Sequence, residues 1–151
     1  MRRMILLFGL ALAVVISTGN AAMAQADKAL SAGESKAAAG DIHGAMAIFE
    51  QATRDDPTSN DAYARLGGMQ LLDQRYADAV RSFQQAISLG DGGARSFIGM
   101  GMAYLHMGQL GAARAAFVEA RNRGTDSGAD VDQIIAWIDS RSPAAGNTRH
   151  P

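Results

Sequence analysis

The chain contains no cysteine. That excludes disulfides, thiolate metal centres, cysteine nucleophiles and a lipidated cysteine. Aromatic residues are sparse, with a single tryptophan. An excess of either charge is also missing: 14 basic residues face 15 acidic ones, unlike the strongly basic footprint of a nucleic-acid binder. There is no glycine-rich phosphate loop, nucleophile elbow or zinc signature. His43, His106 and His150 stand alone, with no second histidine at ligand spacing, so no metal site is expected. Serines are scattered and lack a local histidine partner. Catalysis and a cofactor are therefore not expected. β-Branched residues are few after the first 20 positions, whereas Ala and Gly abound, a balance that favours close-packed helices over sheets. The length of 151 residues suits one domain.

The first segment reads as an address. Arg2 and Arg3 precede an unbroken apolar run over residues 4–16. A bilayer span needs about 20 such residues, so this run is short. Ser17, Thr18, Gly19 and Asn20 break it, and Ala22-Met23-Ala24 puts small side chains where a signal peptidase reads. The three parts together predict a signal peptide over 1–24, cut between Ala24 and Gln25 after export by the Sec route. The alternative is an uncleaved anchor. Cleavage removes two arginines and leaves 12 basic against 15 acidic residues, a net charge of −3. The expected location is periplasmic or secreted, with no membrane contact after cleavage.

What the rest of the chain has is a period. Phe49, Phe83 and Phe117 are 34 residues apart, and so are Ala45, Ala79 and Ala113. Ala52, Ala86 and Ala120 keep the same interval, as do Gly33, Gly67 and Gly101. Small residues let two helix axes approach, and a large ring fills the gap between successive pairs. Phe117 is accordingly expected in the core. Turn signals fall between the small-residue runs: Gly40-Asp41, Asp73-Gln74-Arg75 and Gly108-Gln109 within units. Asp55-Asp56-Pro57, residues 90–93 and residues 124–128 separate the units. Thr58 or Ser59 is a candidate N-cap for the helix carrying Tyr63. Val131, Ile134, Ile135 and Ile138 then recur at helical spacing beside Trp137. They predict a capping helix over 128–141 that covers the last apolar face of the stack. Residues 142–151 have no apolar period and are expected to be a disordered tail.

The order Gly, Ala, Phe, Ala within a 34-residue unit resembles the tetratricopeptide repeat. The resemblance places units at 26–59, 60–93 and 94–127. The third matches best, through Phe97, Met100-Gly101, Tyr104, Ala113, Phe117 and Ala120, with Thr125 where the family has proline. The second departs at Gln70 and Asp91. The first has Ala29, Ala32 and Lys36 at large-apolar positions. The resemblance implies an all-α solenoid of three antiparallel hairpins plus the capping helix.

It also implies a concave groove lined by the first helix of each hairpin, where the family takes extended or helical peptides. Carried over by repeat position, the groove residues are Leu30, Ala64, Arg65, Gly68, Leu71, Arg95, Ile98, Met102, Leu105 and His106, with Asp27, Glu34 and Asp61 beside them. Arg65 and Arg95 are placed to hold a carbonyl or carboxylate, and Met102 offers an adaptable surface. The competing reading is that the capping helix or tail folds over some of these residues and makes them core. Some family members bind C-terminal carboxylates through a lysine and asparagine clamp. Leu30, Glu34 and Gly99 stand at three clamp positions here, so that ligand class is not expected. The expected function is a non-catalytic scaffold or adaptor of the bacterial cell envelope that binds another protein or peptide. The alternatives are a self-associating module and a component of a pilus or secretion assembly.

Overall fold

The computed structural model describes residues 23–141. The expected leader, apart from its last two residues, and the expected tail over 142–151 lie outside the described residues. Seven helices are present among the described residues, and no strand. They are α1 (residues 23–38), α2 (Ile42–Asp55), α3 (Asn60–Leu72), α4 (Tyr76–Ser88), α5 (Ala94–His106), α6 (Leu110–Asn122) and α7 (Gly128–Arg141). α3/α4 and α5/α6 pair as hairpins, α1 packs on α2 through Leu30, Gly33 and Ala37, and α7 closes the far end against α6. No described helix is long and apolar enough to cross a membrane.

The helix ends follow from local chemistry. Asp41 caps α2 by accepting from the Gly44 amide at 2.8 Å. Ser59 caps α3 through the Ala62 amide at 3.2 Å, while Thr58 bonds Asp56 instead. Each hairpin turns on one left-handed residue: Gly40 (φ 81°), Gln74 (φ 62°) and Gly108 (φ 72°). The amide that follows each one reaches back five residues, from Asp41 to Lys36, Arg75 to Gln70 and Gln109 to Tyr104. These bonds satisfy carbonyls that a helix end would otherwise orphan.

The core is a series of rings on glycines. Phe49, Phe83 and Phe117 are 1%, 4% and 0% exposed. A Cβ built on Gly67 would lie 2.9 Å from the Phe83 ring, and one on Gly101 would lie 2.9 Å from Phe117. Gly33 stands in the same relation to Phe49. Phe83 is gripped from both sides, because Gly99 of the next hairpin also lies against it. Ala45, Ala79 and Ala113 are fully buried. In unit two the family's aromatic position is Gln70, which is buried. Its side-chain oxygen accepts from the equally buried Ser82 hydroxyl at 2.7 Å, so the polar atom is satisfied.

The two ends of the stack differ. α7 buries Val131, Ile135 and Ile138 against Ala113 and Phe117. Arg114 holds Asp139 through two hydrogen bonds, at 2.5 and 3.2 Å. α1 buries only Gly33 in its described length. Ala26, Ala29 and Leu30 face a 510 Å³ cleft toward Ala52, which is left half-buried where Ala86 and Ala120 are covered.

Candidate functional site: the concave face

The first helices of the hairpins lie side by side, and α3 meets α5 directly. Between α1, α3 and α5 runs a cleft of 290 Å³, walled by Glu34, Asp61, Arg65 and Arg95. Ala64 and Gly68 form its floor, with Phe49 and Phe83 beneath. It continues past Asp61, Ala64 and Arg95 into a 570 Å³ cleft at the starts of α3, α5 and α7, where Asp91 and Asp126 join the lining.

Gly68 shows why the cleft is open. A Cβ built there meets nothing within 4 Å, in contrast to its neighbour Gly67. The groove is therefore not a core position filled by the chain's own side chains.

Arg65 is already engaged. Its guanidinium pairs with Asp61 at 3.0 Å and with Glu34 of the preceding hairpin. Burial, and then the nearby Arg95, hold its pKa below the ordinary arginine value. Burial also pushes the Asp61 carboxyl above the usual aspartate range, and the nearby Asp91 adds to the shift. The nearby Arg95 charge opposes that rise. Arg65 is thus a bridge between hairpins. Arg95 is exposed and makes no ion pair among the described residues.

The remaining expected groove residues divide. Ala64 and Gly68 line the cleft with Arg65 and Arg95. Leu30 packs on the cluster of Ala45, Met46 and Phe49, and Leu71 on that of Ala79, Val80 and Phe83. Ile98, Met102 and Leu105 pack against the cluster that α7 closes, so part of the expected apolar wall serves as core. Leu105 still borders a 470 Å³ cleft. His106 is not brought to the cleft: its ring stacks on Tyr76, centroids 4.6 Å apart and planes 1° from parallel.

Repeat position alone does not reveal the contribution of α7. Ile134 and Trp137 line the cleft beside Leu105, with Asp130 and Gln133 at its edge. Trp137 is 45% exposed, with the Arg141 guanidinium 4.0 Å over its ring. A signal is present in the sequence, since Trp137 lies well off the Val131, Ile135, Ile138 stripe on a helical wheel. No described group of three or more His, Asp or Glu side chains is placed to hold a metal ion.

Sequence comparison finds no matching family model and no matching characterised protein. Comparison of folds does find similar structures. The type III secretion chaperone SycD of Yersinia enterocolitica, in complex with a peptide of the translocator YopD, superposes with a TM-score of 0.73 at 15% identity. The match covers 78% of this chain and 94% of that one. PcrH, in complex with the chaperone binding region of PopD, gives 0.73 at 18% identity over 78% and 92% of the chains. The TPR2B domain of yeast Sti1, in its pHsp70 complex, gives 0.72 at 16% identity over 77% and 97%. The fold of this chain is the tetratricopeptide-type α-solenoid.

Proposed function

We propose that the chain is a non-catalytic adaptor that holds a peptide segment of another protein in the cleft between α1, α3 and α5. The observation that carries this reading is the unfilled space over Gly68, on a face where the flanking glycines of the hairpin seam are packed against rings. A folded chain that leaves a lined cleft between rigid helices offers a preformed site, and a preformed site binds with little ordering cost. Three proteins of similar fold carry peptide or partner segments in their structures, which adds support by analogy of fold. The workplace we propose is the bacterial cell envelope, on the strength of the charged start, apolar run and small-residue site at residues 2–24.

The experiment places a photo-cross-linking amino acid at Ala64 and irradiates intact cells. A partner cross-linked from Ala64, and lost when Gly68→Leu fills the cleft, is the expected result. Cross-links that ignore Gly68→Leu would place the partner elsewhere. Sequencing the N-terminus of protein recovered from the periplasm tests the compartment: a start at Gln25 is expected, and an intact start at Met1 contradicts it.

A further inference from the structure

We propose that the guest of this cleft is a cationic amphipathic helix, basic along one side and carrying an apolar anchor that seats against Trp137. The inference rests on the adaptor reading and specifies its ligand.

Charge is the first argument. The clefts along α1, α3, α5 and α7 are lined by five carboxylates, Glu34, Asp61, Asp91, Asp126 and Asp130, against two guanidinium groups, Arg65 and Arg95, with Arg141 stacked over the Trp137 ring as a third. Arg65 is spent on Glu34 and Asp61. Asp91 accepts only from the Gly93 amide and the Ser96 hydroxyl, neutral donors that leave its charge in place. Asp126 and Asp130 make no ion pair among the described residues. On the other faces most acids are matched: Asp41 by Lys36, Asp78 by Arg75 and Arg81, Glu119 by Arg123, Asp132 by Arg121 and Asp139 by Arg114, whereas Asp55 and Asp56 accept only from the neutral Gln51 and Thr58. A negative excess on a concave face focuses a field that a basic segment relieves and an acidic one worsens. The raised pKa of Asp61 reflects part of that crowding.

Shape is the second argument. At the far end of α5, Leu105 borders a separate apolar cleft of 470 Å³ with Ile134 and Trp137, edged by Asp130. α7 has three buried aliphatics to hold it in place and leaves its one indole half in water. An exposed tryptophan in a cleft beside aliphatic side chains is the kind of residue on which interfaces anchor. A helical guest carrying basic residues beside an apolar stripe meets both the acidic rim and this end.

Trp137 is the only tryptophan, so intrinsic tryptophan fluorescence reports on this cleft alone. The probes are two synthetic amphipathic helices of about five turns, identical in their leucines. One carries lysine on its polar face and the other glutamate. With the purified full chain, the lysine peptide is expected to bind at least about tenfold more tightly, to shift Trp137 emission to the blue, and to lose most of its advantage in high salt. Asp126→Asn with Asp130→Asn should cut that preference severalfold with helicity unchanged. Equal or tighter binding of the glutamate peptide, still blocked by Gly68→Leu, overturns the cationic guest and leaves the adaptor reading intact. Lysine-peptide binding that moves neither Trp137 emission nor the double variant places the site elsewhere and overturns the proposal. Binding of neither peptide overturns it too, while cross-linking from Ala64 judges the adaptor reading independently. A dimer in sedimentation that the lysine peptide fails to displace would make a second copy the occupant and would likewise overturn the cationic guest.

Discussion

Gly67 and Gly68 are neighbours on α3, share a residue type and face opposite worlds. A methyl group on the first would strike the Phe83 ring, and a methyl on the second would enter empty space. The contrast separates two regions of the molecule. The seam, where Gly33, Gly67 and Gly101 meet Phe49, Phe83 and Phe117, is closed and recurs every 34 residues. The concave face beside it is open and differs from unit to unit: Ala64, Arg65 and Gly68 in the second hairpin stand where the third has Ile98, Gly99 and Met102. Glycine at the seam serves packing, as Gly99 does from the next hairpin, whereas Gly68 leaves room. The repeat therefore records how the stack holds together, and the positions that escape it are where a guest is accommodated.

The comparison can be broken most forcefully at its closed side. Phe117→Ala removes a fully buried ring and is expected to cost about 3–5 kcal/mol in chemical denaturation. A loss below about 1 kcal/mol would deny the ring its place in the core. Gly67→Ala is next. The Phe83 ring is also gripped by Gly99 and has little space to yield, so about 1–3 kcal/mol of overpacking is expected. Gly68→Ala sharpens the contrast by changing sign. With no clash and a better helix former, it is expected to stabilise by about 0.5–1 kcal/mol. The smallest effect lies at the surface carboxylates. Lys36 and the Gly44 amide hold Asp41 below the usual aspartate range, and Arg114 does so for Asp139. A depressed folded pKa contributes stability above the unfolded value that is lost as pH falls through the folded one. Asp41→Asn with Asp139→Asn should flatten the acid limb of an unfolding titration below about pH 4, and an unchanged limb would contradict it.

The legible part of this molecule is the part that repeats. Glycine, alanine and phenylalanine in phase predict nested hairpins, and the turn signals at Gly40, Gln74 and Gly108 mark their bends. Thr58 and Ser59 are both suitable caps by residue type, and Ser59 takes the role because Thr58 is held by Asp56. The face is legible only to the level of which helices form it. Arg65 reads as a free anchor because Glu34, its partner from the preceding hairpin, is 31 residues away and no local pattern links them. Ile98, Met102 and Leu105 have the right repeat position for a groove, yet α7, which lies outside the period, packs over part of them. His106 leaves the face for a ring on the neighbouring hairpin, Tyr76, a pairing fixed by how hairpins stack. In each case the missing information is tertiary.

The most direct measurement follows Gly68→Leu through two readouts on the same sample. The account predicts a thermal midpoint equal to or above that of the unsubstituted chain, together with loss of the photo-cross-linked partner at Ala64. Undiminished cross-linking by a fully folded variant would mean that the space over Gly68 is not where the guest sits.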